Sequence, residues 1–126
     1  MSERRAIQPD GLARPAAPYS PVVVSGDLVY TAGQIANDAE GNVEGGVEEQ
    51  TRRTLENLRT CLQAAGCELA DVLKVSAFLA DLGDFAAFNA VYRDYFVEPY
   101  PVRPTVGVTL PAGILVEVDA AARRRS

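Results

Sequence analysis

Histidine and tryptophan are absent from this 126-residue chain, cysteine occurs twice, and Lys74 is the one lysine. Without an imidazole, no Ser-His-Asp or Cys-His nucleophile pair can form, nor an imidazole zinc site or an imidazole acid–base group. Two cysteines cannot complete a four-thiolate metal site within one chain. The remaining eleven of the twelve basic residues are arginine, whose planar fork suits carboxylates, whereas lysine is the Schiff-base former. Acid exceeds base by 17 to 12, a net charge of −5, which argues against a phosphate-tracking surface and a nucleic-acid partner. No apolar run approaches the ~18 residues of a membrane span. Residues 1–10 lack the apolar stretch of a signal peptide. The expectation is a cytoplasmic protein with reduced thiols and no membrane partner.

What is present fits one domain over residues 1–126. Hydrophobic residues make up 48%, and a chain this long buries roughly 65–70% of its unfolded surface. Residues 1–17 read as an irregular arm, punctuated by Pro9, Gly11 and Pro15, with one short strand around residues 4–8. Residues 22–30 are two apolar runs around Gly26-Asp27, a hairpin signal, and residues 32–35 continue the second strand. Residues 37–46 are a loop. From Val47 the apolar period becomes helical through Leu55, Leu58, Leu62 and Ala65, and Gly66 stops the helix. On its wet face, Glu48 with Arg52 and Glu49 with Arg53 form i,i+4 pairs. Residues 72–80 read as a central strand, with Leu73, Val75, Ala77 and Leu79 on one face. Lys74 on the other face is read as a partly buried or interface cation. Asp84 caps a second helix with a stripe of Phe85, Phe88, Tyr92 and Tyr95/Phe96, stopped by Pro99 and Pro101. Residues 102–110 and 114–121 are two more strands joined by Pro111-Ala112-Gly113, and residues 122–126 form an Arg-rich, disordered tail. Cys61 and Cys67 flank the end of the first helix and are read as packing residues.

The order implies an α+β sandwich: one mixed sheet of about six strands and two helices. Two helices cover one face of such a sheet, so the other face needs a partner, and a second copy of the chain is the expected one. Alternation within the last two strands puts Arg103, Thr105 and Gly107 on one face, with Glu117 and Asp119 on one face of the next. A turn centred near Ala112 would pair Gly107 with Glu117 and bring these residues onto one surface. That surface reads either as an ordinary solvent-facing sheet side or as a carboxylate-binding Arg beside a water-activating carboxylate, with Gly107 leaving room for a ligand. Arg103 and the residue paired with Glu117 are four positions apart, about 13 Å along a strand. One small molecule could reach both only if the Arg side chain folds back, or if one group comes from another subunit.

Several stretches carry a family resemblance: Ala17-Pro18-Tyr19-Ser20, Tyr30-Thr31-Ala32-Gly33-Gln34, Thr54-Leu55-Glu56-Asn57-Leu58, Asp84-Phe85-Ala86-Ala87-Phe88-Asn89, Pro101-Val102-Arg103-Pro104 and Leu110-Pro111-Ala112-Gly113, followed by Glu117. In this order and spacing, over residues 4–121, the chain resembles the reactive intermediate deaminase (RidA) family, also called YjgF/YER057c/UK114. The resemblance implies a chorismate-mutase-like fold assembled as a homotrimer with ligand clefts between subunits. It implies hydrolysis of small enamines and imines, such as 2-aminoacrylate, to 2-keto acids and ammonia, with no cofactor and no metal.

By the same resemblance, Arg103 matches the carboxylate-binding arginine and Glu117 the glutamate that orients water and shuttles the proton. Tyr19 either covers the cleft or packs at a strand start. Asn89 makes either a structural hydrogen bond or a ligand contact. Thr105 helps hold the water, and Ala32 and Gly33 belong to the substrate-binding stretch. Three departures bear on substrate and rate. Ala32 stands where the family often has Ser, Pro104 follows the arginine, and the stretch from Val108 to Pro111 is one residue short. The alternatives are a non-catalytic trimer binding 2-keto acids or other small carboxylates as a sensor, and, more remotely, an endoribonuclease.

Overall fold

The computed structural model describes residues 3–125. Its strands are β1 (Arg5–Ile7), β2 (Val22–Ser25), β3 (Leu28–Thr31), β4 (Val72–Leu79), β5 (Thr105–Gly107) and β6 (Val116–Arg123). Its helices are α1 (Val47–Ala64) and α2 (Phe85–Tyr92). The six strands form one mixed sheet in the order β1-β2-β3-β6-β4-β5. Only β4 and β5 pair in parallel, which fits their connection through α2, since parallel neighbours need a crossover.

Both helices cover the same side. Val22, Val24, Val29, Val75, Ala77, Leu79 and the even residues of β6 meet Leu55, Leu58, Leu62 and Phe88 in one core. The opposite face, carrying Tyr30, Lys74, Ser76, Phe78, Val106, Glu117 and Asp119, has no helix on it.

Gly26-Asp27 makes the hairpin, with Ser25 opposite Leu28 and Gly26 in the left-handed region at φ 60°. At the end of α1, Gly66 takes φ 83°. The Cys67 and Gly66 N–H groups return to the Leu62 and Gln63 carbonyls at 2.8 and 3.1 Å, closing the helix as its glycine predicts. Both cysteines are buried in the core, and burial pushes the Cys61 thiol up to about 12. No helix among the described residues is long and apolar enough to cross a membrane.

Several expectations are corrected. The last two strands are not a hairpin: β4 lies between β5 and β6. The segment between them arches over the end of β4, where Val108 N–H donates to the Leu79 carbonyl and Ala80 N–H to that of Leu115. In β4 the pairing slips between Val72 and Lys74, so Val72 joins the core face and Leu73 is exposed. A bulge shifts every residue on one side of it to the other face. Strand β3 stops at Thr31, and pairing with β6 resumes one residue out of step, from Tyr30↔Ala121 to Gln34↔Val118. The Thr31 hydroxyl there accepts from the Ala120 N–H. The second helix ends at Tyr92, well before Pro99, and its Asp84 makes no side-chain cap. Asp81 instead caps the preceding 3₁₀ turn through Gly83 N–H. Finally, Arg52 pairs with Asp94 at 3.2 Å rather than with Glu48.

The segment expected as a tail begins inside β6, which runs through Arg123. Arg124 N–H donates to the Asp27 carbonyl at 2.7 Å, and Arg125 bonds Asp71 at 2.6 Å. Ser126 lies outside the described residues.

Candidate functional site

The arched connection decides where the site residues go. Val116, Val118, Ala120 and Ala122 are buried in the core, so Glu117 and Asp119 point to the uncovered face. Arg103 lies on the other side, beneath α2. Its Nη2 donates to Asn89 Oδ1 at 2.8 Å, and its guanidinium stacks over the rings of Tyr92, Phe88 and Phe85, with centroids at 4.5, 5.3 and 5.9 Å. Thr105 and Gly107 pair with the core-facing Ala77 and Leu79. A single chain therefore does not gather Arg103, Thr105, Glu117 and Asp119 on one surface.

Two separate cavities result. The first, at the β5 edge, is a cavity of about 250 Å³ lined by Arg103, Asn89, Tyr92 and Tyr100. Three aromatic faces and one amide fix the guanidinium's plane. Asn89, the expected structural or ligand amide, is Arg103's partner. Arg103 makes no ion pair among the described residues, and beyond the donors turned to Asn89 and the Tyr92 oxygen its five-donor fork has N–H groups left for an anion. Tyr92 is 5% exposed, and no group among the described residues accepts its hydroxyl proton. Burial pushes its ionisation up, offset in part by the Arg103 charge and by the Arg103 guanidinium donating toward the phenol oxygen.

The second is a cavity of about 380 Å³ on the uncovered face, with Glu117, Gly33, Gln34, Tyr19, Pro111 and Ile114 in its wall. A Cβ at Gly33 would collide with the Glu117 carboxyl group, so glycine is what lets the chain pass beside that side chain. The β3 bulge places Gly33 there. Burial first, and then the negative charge of Asp119, push the Glu117 carboxyl above its ordinary range. Tyr19 lines the same cavity while remaining 56% exposed. Ala32 is tied to the start of β2 through its N–H and the Pro21 carbonyl at 2.8 Å. Gly107 does not make room for a ligand, because the Leu82 side chain occupies the space beside it.

Sequence reasoning missed the residues that hold these walls. Gln50 and Asn57 are 2% and 5% exposed on the inner face of α1. Gln50 donates to the Gly113 and Gly45 carbonyls at 2.9 and 3.1 Å and accepts from Leu115 N–H at 3.0 Å. Asn57 donates to the Ile35 and Asn37 carbonyls, both at 2.9 Å. Their signal was available: positions 50, 54, 57 and 61 share one helical face, and two amides on a buried stripe must find partners.

A family model described as endoribonuclease L-PSP matches residues 11–124. A RutC family protein of Pyrococcus horikoshii is 40% identical over 122 residues, covering 94% of this chain and 97% of that protein. The human 2-iminobutanoate/2-iminopropanoate deaminase is 36% identical over 122 residues, covering 94% and 89%. The crystal structure of Escherichia coli TdcF with bound serine superposes with a TM-score of 0.89 at 35% identity, covering 96% of this chain and 99% of that one.

Proposed function

Because the chain belongs to the endoribonuclease L-PSP family, the RidA family of the resemblance above, we propose that it hydrolyses small imino acids to 2-keto acids and ammonia at a site shared between two copies of itself. The observation that carries this reading is the separation of Arg103, which lacks an acid partner among the described residues, from Glu117 on the other face of the sheet. Each half-site is incomplete alone. Tyr30, Val102 and Val106 are exposed apolar residues, and a closed ring of three copies would cover such a face while joining one copy's Glu117 cleft to the next copy's Arg103 edge. A relative named for 2-iminobutanoate and another crystallised with serine support a small ligand carrying a carboxylate.

The chemistry follows from the two groups. The Arg103 fork holds the carboxylate, which fixes the C=N carbon in the cleft. An enamine first takes a proton on carbon and becomes the protonated imine. Glu117 accepts a proton from water as the water oxygen bonds to that carbon, and the nitrogen gains a proton. The C–N bond of the carbinolamine then breaks, ammonia leaves, and the hydroxyl proton is lost as the ketone forms. The raised position of Glu117 suits a group that must both take and return a proton.

The test is complementation. Arg103→Ala and Glu117→Gln variants are assayed singly, and again after co-folding, with a dehydratase supplying 2-aminocrotonate. Each single variant loses acceleration of keto-acid release. The co-folded 1:1 preparation regains about one quarter of the wild-type rate, since about three quarters of its trimers are mixed and each of those holds one intact site in three. Mixed trimers as inactive as the single variants would place both groups in one chain and refute the shared site. Keto-acid binding by the wild type without any rate enhancement would mark a sensor instead.

A further inference from the structure

The Tyr92 hydroxyl is left over by everything above. It is buried with the Arg103 guanidinium against its oxygen, yet no group among the described residues accepts its proton, and buried tyrosine hydroxyls normally find an acceptor. Packing does not require it. The ring already stacks on the Arg103 guanidinium, and on Phe96 at 4.5 Å between centroids, and phenylalanine would do both. Nor can Arg103 take its proton, because a guanidinium has no acceptor atom. The acceptor has to arrive from outside, through the cavity that Tyr92 and Arg103 line together.

We infer that Tyr92 is a substrate-binding residue, its hydroxyl donating a second hydrogen bond to the carboxylate that Arg103 anchors. The inference rests on the Arg103 reading and adds to it. A carboxylate held by the arginine fork keeps lone pairs free for a further donor. Burial keeps the phenol protonated at neutral pH and therefore a donor. Empty, the pocket holds an unsatisfied hydroxyl; filled, it satisfies that hydroxyl and the carboxylate at once. The carboxylate end is thus recognised by one fork, itself held over three aromatic faces, and by one hydroxyl.

The experiment is calorimetric titration of 2-oxobutanoate into wild type, Tyr92→Phe and Arg103→Ala, with thermal unfolding of each ligand-free protein. For Tyr92→Phe the expected dissociation constant is about tenfold weaker than wild type. Its ligand-free midpoint should stay level or rise, because a buried unpaired hydroxyl has been removed. In turnover, KM should rise by a similar factor with kcat little changed. Tyr92→Phe binding as tightly as wild type, while Arg103→Ala fails to bind, would overturn the Tyr92 assignment alone. Arg103→Ala binding as tightly as wild type, or no binding by wild type, would overturn the Arg103 anchor and this inference with it.

Discussion

The two half-sites are built by different means. Arg103 is fixed from the side-chain layer: α2 supplies Asn89 and the aromatic faces, and fully buried Phe88 ties that helix to the core. Glu117 is fixed from the backbone layer. A bulge after Thr31, glycine at 33 and two loops pinned by α1 amides shape its surroundings. One end is suited to holding a charge in a set orientation. The other is a carboxyl group with space around it, partly desolvated and able to exchange protons. Anchoring and proton transfer should therefore be separable by mutation.

Gly33→Ala is the severest test of that separation. Gly33 is not among the left-handed glycines, so an alanine there costs space and no backbone strain. The Cβ would overlap the Glu117 carboxyl group down to its Cγ, and the whole group must swing aside. Misplacing a reacting group by about 1 Å costs on the order of 100-fold. We expect kcat for imine hydrolysis to fall by roughly that factor while calorimetric affinity for 2-oxobutanoate stays within about twofold. Affinity lost in step with rate would show that the two half-sites are not independent.

A smaller effect is expected at Gln50. Its alanine variant strands the Gly113 carbonyl and the Leu115 N–H against the core side of the arch. Leaving such groups unpaired costs about 1–3 kcal/mol, read as a lower denaturant midpoint at unchanged m-value. Gln50→Glu, which keeps the acceptor but loses the donor, should fall between wild type and alanine. Equal stability in all three would remove the arch from the account of how the Glu117 cleft is held.

How much of this was legible beforehand divides along the same line. The hairpin at Gly26-Asp27, the course of α1 to Gly66 and the cation poised at Arg103 follow from local chemistry: a turn glycine, a helical period, a fork-shaped donor. The strand pairing does not. Pro111-Ala112-Gly113 looks the same whether it turns a hairpin or arches over a strand. Only the need of apolar β4 for a neighbour on each side selects the arch. The one-residue slips at Leu73 and beside Thr31 are invisible to an alternation count, which assumes an unbroken period. The arch, which leaves β4 between β5 and β6, is what puts Arg103 and Glu117 on opposite faces. Residue periodicity reached only the need for a second copy on the uncovered face, and the family resemblance implied a ligand cleft between copies.

The finest test concerns Asp119, two residues along the same uncovered strand face as Glu117. Its negative charge raises the Glu117 carboxyl further above the ordinary range, after burial has done most of it. A folded carboxyl that holds its proton more tightly than the unfolded chain does makes stability fall as pH rises through the interval between the two values. Asp119→Asn narrows that interval from above. The variant should therefore lose less stability than wild type as pH rises through that range. If Glu117 must be ionised to take a proton from water, the acid limb of kcat/KM in the same variant moves to lower pH. The Arg103 half-site lies across the sheet, so 2-oxobutanoate affinity at neutral pH should not change. A limb that stays in place would mean that another group sets it, and Glu117 would lose its role as the proton acceptor while Arg103 kept its role as the anchor.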